Sequence, residues 1–286
     1  MTQALIDAVK TGRSLAKGSR AQNIIYSGLL ATIVAYEQHS TIARALLCYL
    51  LIMILYAVAT NFNNISDLQT DRLNKRKDNP YINSSTLKLK AFRPFIYLCL
   101  ICVVLIQFGM EQPQTIIITL LYLALSYTYS DSFFKIKSKG LLGTILLCVC
   151  YGSLPLLLGL YQGVSIKSTL LVELAIFTGF SILPLVLAKD YKDYKGDVLT
   201  QKVTPLIQFG SKRLYKLSIT ISLLVVFSYF VIGIKYSSNE LIIIFVSVVY
   251  LLLIRKLHKE SGKISTTYRN ALTLILILMP ISILRS

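Results

Sequence analysis

Long apolar runs alternate with short polar breaks along the whole chain. The runs fall near residues 22–37, 41–62, 92–109, 114–130, 141–161, 168–188, 214–234, 239–254 and 267–284. Each approaches the roughly 20 residues a helix needs to cross a hydrocarbon core about 30 Å thick. The pattern predicts an all-α polytopic membrane protein with nine transmembrane helices. An odd number of crossings places the two ends on opposite sides. The breaks Glu37-Gln-His-Ser40 and Glu111-Gln-Pro-Gln114 are short enough to make antiparallel hairpins. Those from Asp71 to about Leu89 and from Asp190 to Ser211 are long enough to form caps. The fifth run carries Gly152, Pro155 and Gly159, which predicts a kink or a close helix contact there.

Charge orients these spans. Taken alternately, the polar segments divide the 30 Lys and Arg residues into 26 on one side and 4 on the other. By the positive-inside rule the first set is cytoplasmic: the N-terminus and the breaks after runs two, four, six and eight. The C-terminus then lies opposite. Residues 1–21, with Lys10, Arg13, Lys17 and Arg20 among apolar positions, read as a basic amphipathic segment along the cytoplasmic surface, and residues 22–286 as one membrane domain.

With 55% hydrophobic residues and a mean hydropathy of +0.64, an ordinary soluble domain is excluded. The net charge of +17 follows mainly from topology. It favours anionic headgroups and a phosphorylated substrate over nucleic acid. Cys48, Cys99, Cys102, Cys148 and Cys150 all lie in apolar runs and read as small core residues without disulfides. No obligate protein partner is evident.

Two polar stretches carry the chemistry. Asn63, Asp67 and Asp71 recur every fourth residue, so on a helix they share one face. Asp190, Asp193 and Asp197 make a second row at i, i+3 and i+7. The chain has eight aspartates and these rows hold five of them, both at the cytoplasmic ends of apolar runs. Facing each other across a cavity, such rows would repel unless divalent cations and an anionic ligand stood between them. Mg²⁺ shared between a few carboxylates and substrate phosphates meets that need. A diphosphate with a long apolar tail fits a membrane chamber of this kind. Ionisation of an allylic C–O bond would leave a carbocation, which the faces of 18 Tyr and 12 Phe can stabilise.

Plainer roles stand beside these. Asp67 and Asp71 could pair with Arg72, Lys75 and Arg76 at a solvated helix end, and Lys189 and Lys192 could be further orienting charges. Tyr127, Tyr129 and Lys135 could be interfacial anchors. His39 and His258 read as surface residues. Glu173 falls mid-run, where a carboxylate is expensive in lipid and is expected to face the bundle interior.

The two rows, Asn63-x-x-x-Asp67-x-x-x-Asp71 with Arg72-x-Asn74-Lys75 and Asp190-x-x-Asp193-x-x-x-Asp197, resemble the paired aspartate motifs of the UbiA superfamily of intramembrane prenyltransferases. The resemblance implies nine helices in a ring around a central cavity open to lipid, under cytoplasmic cap loops. In it, Asn63, Asp67 and Asp71 would hold one Mg²⁺ and Asp190, Asp193 and Asp197 another. Arg72, Lys75 and Lys189 would stand near an isoprenyl diphosphate, with Asn63, Tyr129 and Lys135 contributing to the same headgroup site. The catalytic set would be Asp67, Asp71, Asp190 and Asp193. The implied reaction is prenyl transfer to a lipid-soluble acceptor, expected to be aromatic, in the plasma membrane of a bacterium or archaeon.

Two departures stand out. Lys135 is six residues beyond Tyr129 where the family often has Tyr-x-x-x-Lys, and Ala21 follows Arg20 where Arg-Pro is common. A terpene cyclase would use the same ionisation without an acceptor. A transporter would use the carboxylates for cation coupling.

Overall fold

The computed structural model describes residues 21–75, 79–82, 86–131, 133–163, 168–236, 240–259 and 266–284. Residues 1–20 of the expected surface segment lie outside the described residues. The helices are α1 (Ala21–Glu37), α2 (Ile42–Ser66), the short α3 (Leu68–Leu73), α4 (Thr86–Met110), α5 (Pro113–Ser130), α6 (Leu141–Leu160), α7 (Ser168–Leu199), α8 (Pro205–Tyr236), α9 (Glu240–Lys259) and α10 (Thr266–Leu284). Among the described residues no strand forms beyond one isolated bridge between Lys139 and Val203. Among the described residues six helices are long and apolar enough to cross a membrane: α2, Phe92–Met110 of α4, α6, Thr169–Tyr191 of α7, α8 and α9.

Local chemistry sets the breaks. The α1–α2 turn passes through His39 at φ 60°, and Thr41 then caps α2 by accepting from the Arg44 N–H. Glu111 at φ 55° ends α4, and Pro113, which needs no N–H partner, opens α5. An ion pair from Arg44 to Glu111 ties these two turns together at one end of the bundle.

Inside α6 the ladder widens to a π-helical turn at Val149–Ser153, just before Pro155. Proline there cannot donate to the Tyr151 carbonyl one turn back. Ser27 of α1 donates to that carbonyl instead, at 2.8 Å. The expected close contact sits beside this turn. A Cβ on Gly159 would lie 2.5 Å from the Ala31 carbonyl oxygen, and one on Gly152 would lie 2.5 Å from Ile182 Cδ1.

Packing follows a closed circuit in which α1 lies on α2, α2 on α5, α5 on α6, α6 on α7, and α7 through α10 on one another, with α10 returning to α1. One apolar cluster joins α1 and α6 to α7–α10, and a second joins α1 and α6 to α2, α4 and α5. Helices α1 and α6 are therefore the seam.

Two expectations change. His258 is 4% exposed rather than superficial. Its Nε2 lies 3.0 Å from the Pro184 carbonyl, and Tyr250 donates to the Ser181 carbonyl at 2.9 Å, so α9 is clasped to α7. Glu173 lies in the second turn of α7, because the helix starts at Ser168, and pairs with Lys235 of α8 at 2.8 Å. It is a helix-end ion pair rather than an interior carboxylate.

Candidate active site

Helix α2 stops at Ser66, Asp67 takes φ −96° and ψ 10°, and α3 resumes at Leu68. Hydrogen bonds from Asp67 N to Asn63 O and from Asp71 N to Asp67 O, both 2.8 Å, carry the helical pitch across the break. The bend sends the three members of the first row to different surroundings. Asn63 lines an internal chamber, Asp67 meets two lysines, and Asp71 turns toward Asn79. Asn79 Nδ2 donates to Asp71 Oδ2 and to Asn64 O, each at 2.7 Å, and its Oδ1 accepts from the Tyr81 N–H. The Tyr81 hydroxyl donates to Asn61 Oδ1 at 2.8 Å. This buried set fastens residues 79–82 against the end of α2. Asn79, Tyr81 and Asn61 carried no pattern in the sequence.

The second row stays on one helix, the last turns of α7. Asp190, Asp193 and Asp197 all line one polar cavity. The two motifs meet at Asn74, whose Oδ1 accepts from the Gly196 N–H at 2.7 Å while its Nδ2 donates to Asp193 O at 3.2 Å. Glycine is required there, since a Cβ at 196 would lie 2.5–2.7 Å from the Asn74 amide atoms.

Lysines occupy the space between the rows. Lys137 Nζ is 2.9 Å from Asp67 Oδ1, and Lys202 Nζ lies 3.7 Å from Asp67 and 3.6 Å from Asp197. They come together because the segment before α6 bridges to the segment before α8: Lys139 pairs with Val203, and the Gly140 N–H donates to Val203 O at 3.0 Å. Gly140 makes this turn at φ 58°.

Burial opposes charge on Asp67, but Lys202 and Lys137 overcome it and hold its carboxyl down at about 2. Burial pushes the Asp197 carboxyl up despite Lys202. Burial also lowers Lys137 against the pull of Asp67. For Lys202, desolvation is outweighed by Asp67, Tyr129 and Asp197, and its ammonium is held more firmly than usual.

Lys189 and Tyr129 line the polar cavity with Asp190. Arg72, Lys75 and Lys135 do not: all three are exposed and line neither cavity. Lys75 and Lys135 sit in left-handed turns, at φ 51° and 49°. Lys137 and Lys202 are the cations sequence reasoning missed. A lysine two positions beyond Lys135, and one shortly before the helix-opening Pro205, were the only signals.

The polar cavity shares Tyr129, Leu147 and Lys189 with a second pocket between α2, α5 and α6; with their open mouths included the two measure about 380 Å³ and 490 Å³. Asn63 Oδ1, Asp190 Oδ2 and Asp197 Oδ1 are buried without a hydrogen-bond partner. Buried oxygens that lack a hydrogen bond, Asp197 Oδ1 meeting only Lys202 at 3.6 Å, suit a hard cation. Among the described residues no three His, Cys, Asp or Glu side chains converge as a metal cage. Mg²⁺ does not demand one, because it commonly takes one or two carboxylates and completes its shell with water and substrate phosphates.

Carboxylates and ammonium groups thus meet beside a tyrosine-lined pocket in a helical protein whose spans are apolar enough to cross a membrane. The model of the UbiA prenyltransferase family matches residues 24–263, and the chain belongs to that family. It is an integral membrane prenyltransferase. A digeranylgeranylglyceryl phosphate synthase from Methanococcus maripaludis is 24% identical over 252 residues, covering 86% of this chain and 87% of the relative. A second, from Methanococcus vannielii, is 28% identical over 195 residues, covering 67% and 64%. A UbiA homologue from Archaeoglobus fulgidus, solved bound to DMAPP and Mg²⁺, superposes with a TM-score of 0.70 at 13% identity over 95% of this chain and 99% of that one. The apo UbiA homologue from Aeropyrum pernix K1 gives 0.72 at 17% identity, covering 91% and 97%. At these identities the two structures speak for the fold alone.

Proposed function

We propose that this protein transfers the isoprenyl group of an isoprenyl diphosphate to a lipid-soluble acceptor in a Mg²⁺-dependent reaction, through an allylic carbocation. One observation carries the reading. Two acidic motifs, distant in sequence, are joined at Asn74 and Gly196 around a lysine-bearing cavity that adjoins a tyrosine-lined pocket between α2, α5 and α6.

Asn63 and Asp190 offer buried oxygens without a hydrogen bond for metal, Asp197 offers one that faces only Lys202 at 3.6 Å, and Asp67, Asp71 and Asp193 complete the two motifs around them. Bound Mg²⁺ would supply charge neutralisation for the departing diphosphate. Lys137, Lys189 and Lys202 would donate charge-assisted hydrogen bonds to its oxygens. Leu146, Leu147 and the tyrosines of the chamber keep water from the cation and present aromatic faces to it. Tyr129, shared by both cavities, stands where head and tail would join.

Nine crossings, with the N-terminus and the site on the cytoplasmic side and the C-terminus opposite, complete the proposal and follow the distribution of Lys and Arg. The names of the Methanococcus relatives move the acceptor from an aromatic ring toward a prenylated glyceryl phosphate, and they weigh against a cyclase that uses none. The test is diphosphate release by the protein in lipid vesicles with Mg²⁺, acceptor and isoprenyl diphosphate. Release should be Mg²⁺-dependent and should disappear in Asp190→Ala while the helical fold persists. Undiminished turnover in that variant, or none in the parent, refutes the reading.

A further inference from the structure

The first aspartate motif is split by a bend, and one side chain from outside the motif spans the break. Asn63 and Asn64 lie on α2, whereas Asp71 lies on α3. A helix of six residues does not hold itself, so tertiary bonds must fix its direction. The Asn79 amide supplies two of them. Its Nδ2 donates to Asn64 O, before the bend, and to Asp71 Oδ2, after it, each at 2.7 Å. Its Oδ1 accepts from the Tyr81 N–H at 3.0 Å, across the turn that Pro80 makes. A backbone N–H can only donate, so the amide has one orientation and meets Asp71 as a donor. The turn is anchored further along: the Tyr81 hydroxyl donates to Asn61 Oδ1, and Asn61 Nδ2 donates to Ala57 O, each at 2.8 Å. Asn61, Asn64, Asp71, Asn79 and Tyr81 are all buried, so water does not compete for these bonds.

We infer that Asn79 is a positioning residue of the metal site: its amide braces the bend between α2 and α3 and holds the Asp71 carboxylate in the orientation in which the first motif binds Mg²⁺. The inference rests on the prenyltransferase reading above, in which Asp71 serves the metal, and deepens it. Mg²⁺ demands near-octahedral ligation, so a carboxylate whose plane is already fixed meets it at less cost. A group that hydrogen-bonds a metal-binding carboxylate typically contributes about 10–100-fold in metal affinity. Asparagine suits the place because both ends of its amide are used. An aspartate there could make the same turn but would set a second carboxylate against Asp71.

The test uses the full chain in detergent micelles with inorganic diphosphate and Mn²⁺ in place of Mg²⁺, free Mn²⁺ being read by electron paramagnetic resonance. Asn79→Ala and Asn79→Ser should each weaken Mn²⁺ binding about 10–100-fold. Serine can still accept from the N–H two residues on and so keep the turn, but it is too short to reach Asp71. In vesicles with acceptor, the Mg²⁺ concentration for half-maximal diphosphate release should rise by the same factor, while KM for the isoprenyl diphosphate at saturating Mg²⁺ stays at the parent value. Tyr81→Phe is the control. It loses the bond to Asn61 and some stability but keeps the N–H that orients Asn79, so its Mn²⁺ affinity should match the parent. Parent-like Mn²⁺ affinity in both Asn79 variants overturns the inference. So does an equal loss in Tyr81→Phe, which would make the whole segment a structural strap, and so does a failure of both Asn79 variants to fold by circular dichroism. A parent that neither binds Mn²⁺ with diphosphate nor releases diphosphate overturns the prenyltransferase reading itself.

Discussion

Replacing Lys202 by Met removes the one ammonium that, among the described residues, ion-pairs with both aspartate motifs. Its Nζ lies 3.7 Å from Asp67 and 3.6 Å from Asp197, and the side chains are 16%, 12% and 3% exposed. At an effective dielectric of about 20, each pair is worth roughly 4–5 kcal/mol before desolvation is counted. Breaking a buried pair from one side costs about 3–5 kcal/mol, because a charge is left without compensation. Asp67 keeps Lys137 at 2.9 Å, whereas Asp197 has no second ion pair among the described residues. The loss should therefore sit near the low end, about 3 kcal/mol.

Its pH dependence follows from Asp197, whose carboxyl burial already pushes up. Without Lys202 it rises further, so the uncompensated charge is greatest in alkaline solution and is relieved by protonation as pH falls. In the parent, Lys202 is raised in the folded state, so its contribution is complete below the ordinary lysine range and fades only above it. The deficit of Lys202→Met should thus be full at pH 8 and smaller at pH 5. Unfolding titrations in detergent micelles, followed by circular dichroism, measure it. Asp197→Asn in the same chain should restore much of the loss. Equal stability of variant and parent at pH 8, a deficit that does not change with pH, or no relief from Asp197→Asn would refute the account of Lys202 as the bridge between the motifs.

Two further outcomes are expected. Asp67, ordinarily near 3.8, is held at about 2, so its stabilising effect is present above the ordinary carboxylate range and lost as pH falls toward 2. The shift is worth about 2 kcal/mol. Asp67→Asn should lack that acid limb in a stability-versus-pH curve, and superimposable curves would contradict the pairing. Gly196→Ala would drive the Asn74 amide away from its Gly196 and Asp193 partners and cost about 1–3 kcal/mol. Combined with Asn74→Ala it should cost less than the sum of the two, and simple additivity would show that the clasp is not shared.

Much of the architecture was legible because a bilayer leaves the backbone few choices. Apolar runs become helices, short polar breaks become turns, and Pro155 beside Gly152 and Gly159 marked where α6 deforms and touches its neighbours. Glu173 and His258 were misplaced for one reason. Periodicity fixes what a residue is and roughly how far along a helix it lies, but helix ends and facing partners decide whether it is buried. The start of α7 at Ser168 puts Glu173 near Lys235, and the lie of α9 carries His258 under Pro184.

The site divides along the same line. The acidic rows showed in the sequence because their spacing is a property of one helix at a time. Which cations answer them did not, because Lys137 and Lys202 reach Asp67 only through the bridge between Lys139 and Val203, a contact between segments more than sixty residues apart. Arg72, Lys75 and Lys135, nearer in sequence to the motifs or to Tyr129, point to solvent instead. The chain by itself determined that aspartates would gather at helix ends in a membrane protein. Only the packing of α2, α5, α6 and α7 decided which lysines stand among them, because charge pairing depends on distances between helices, which spacing along one helix does not encode.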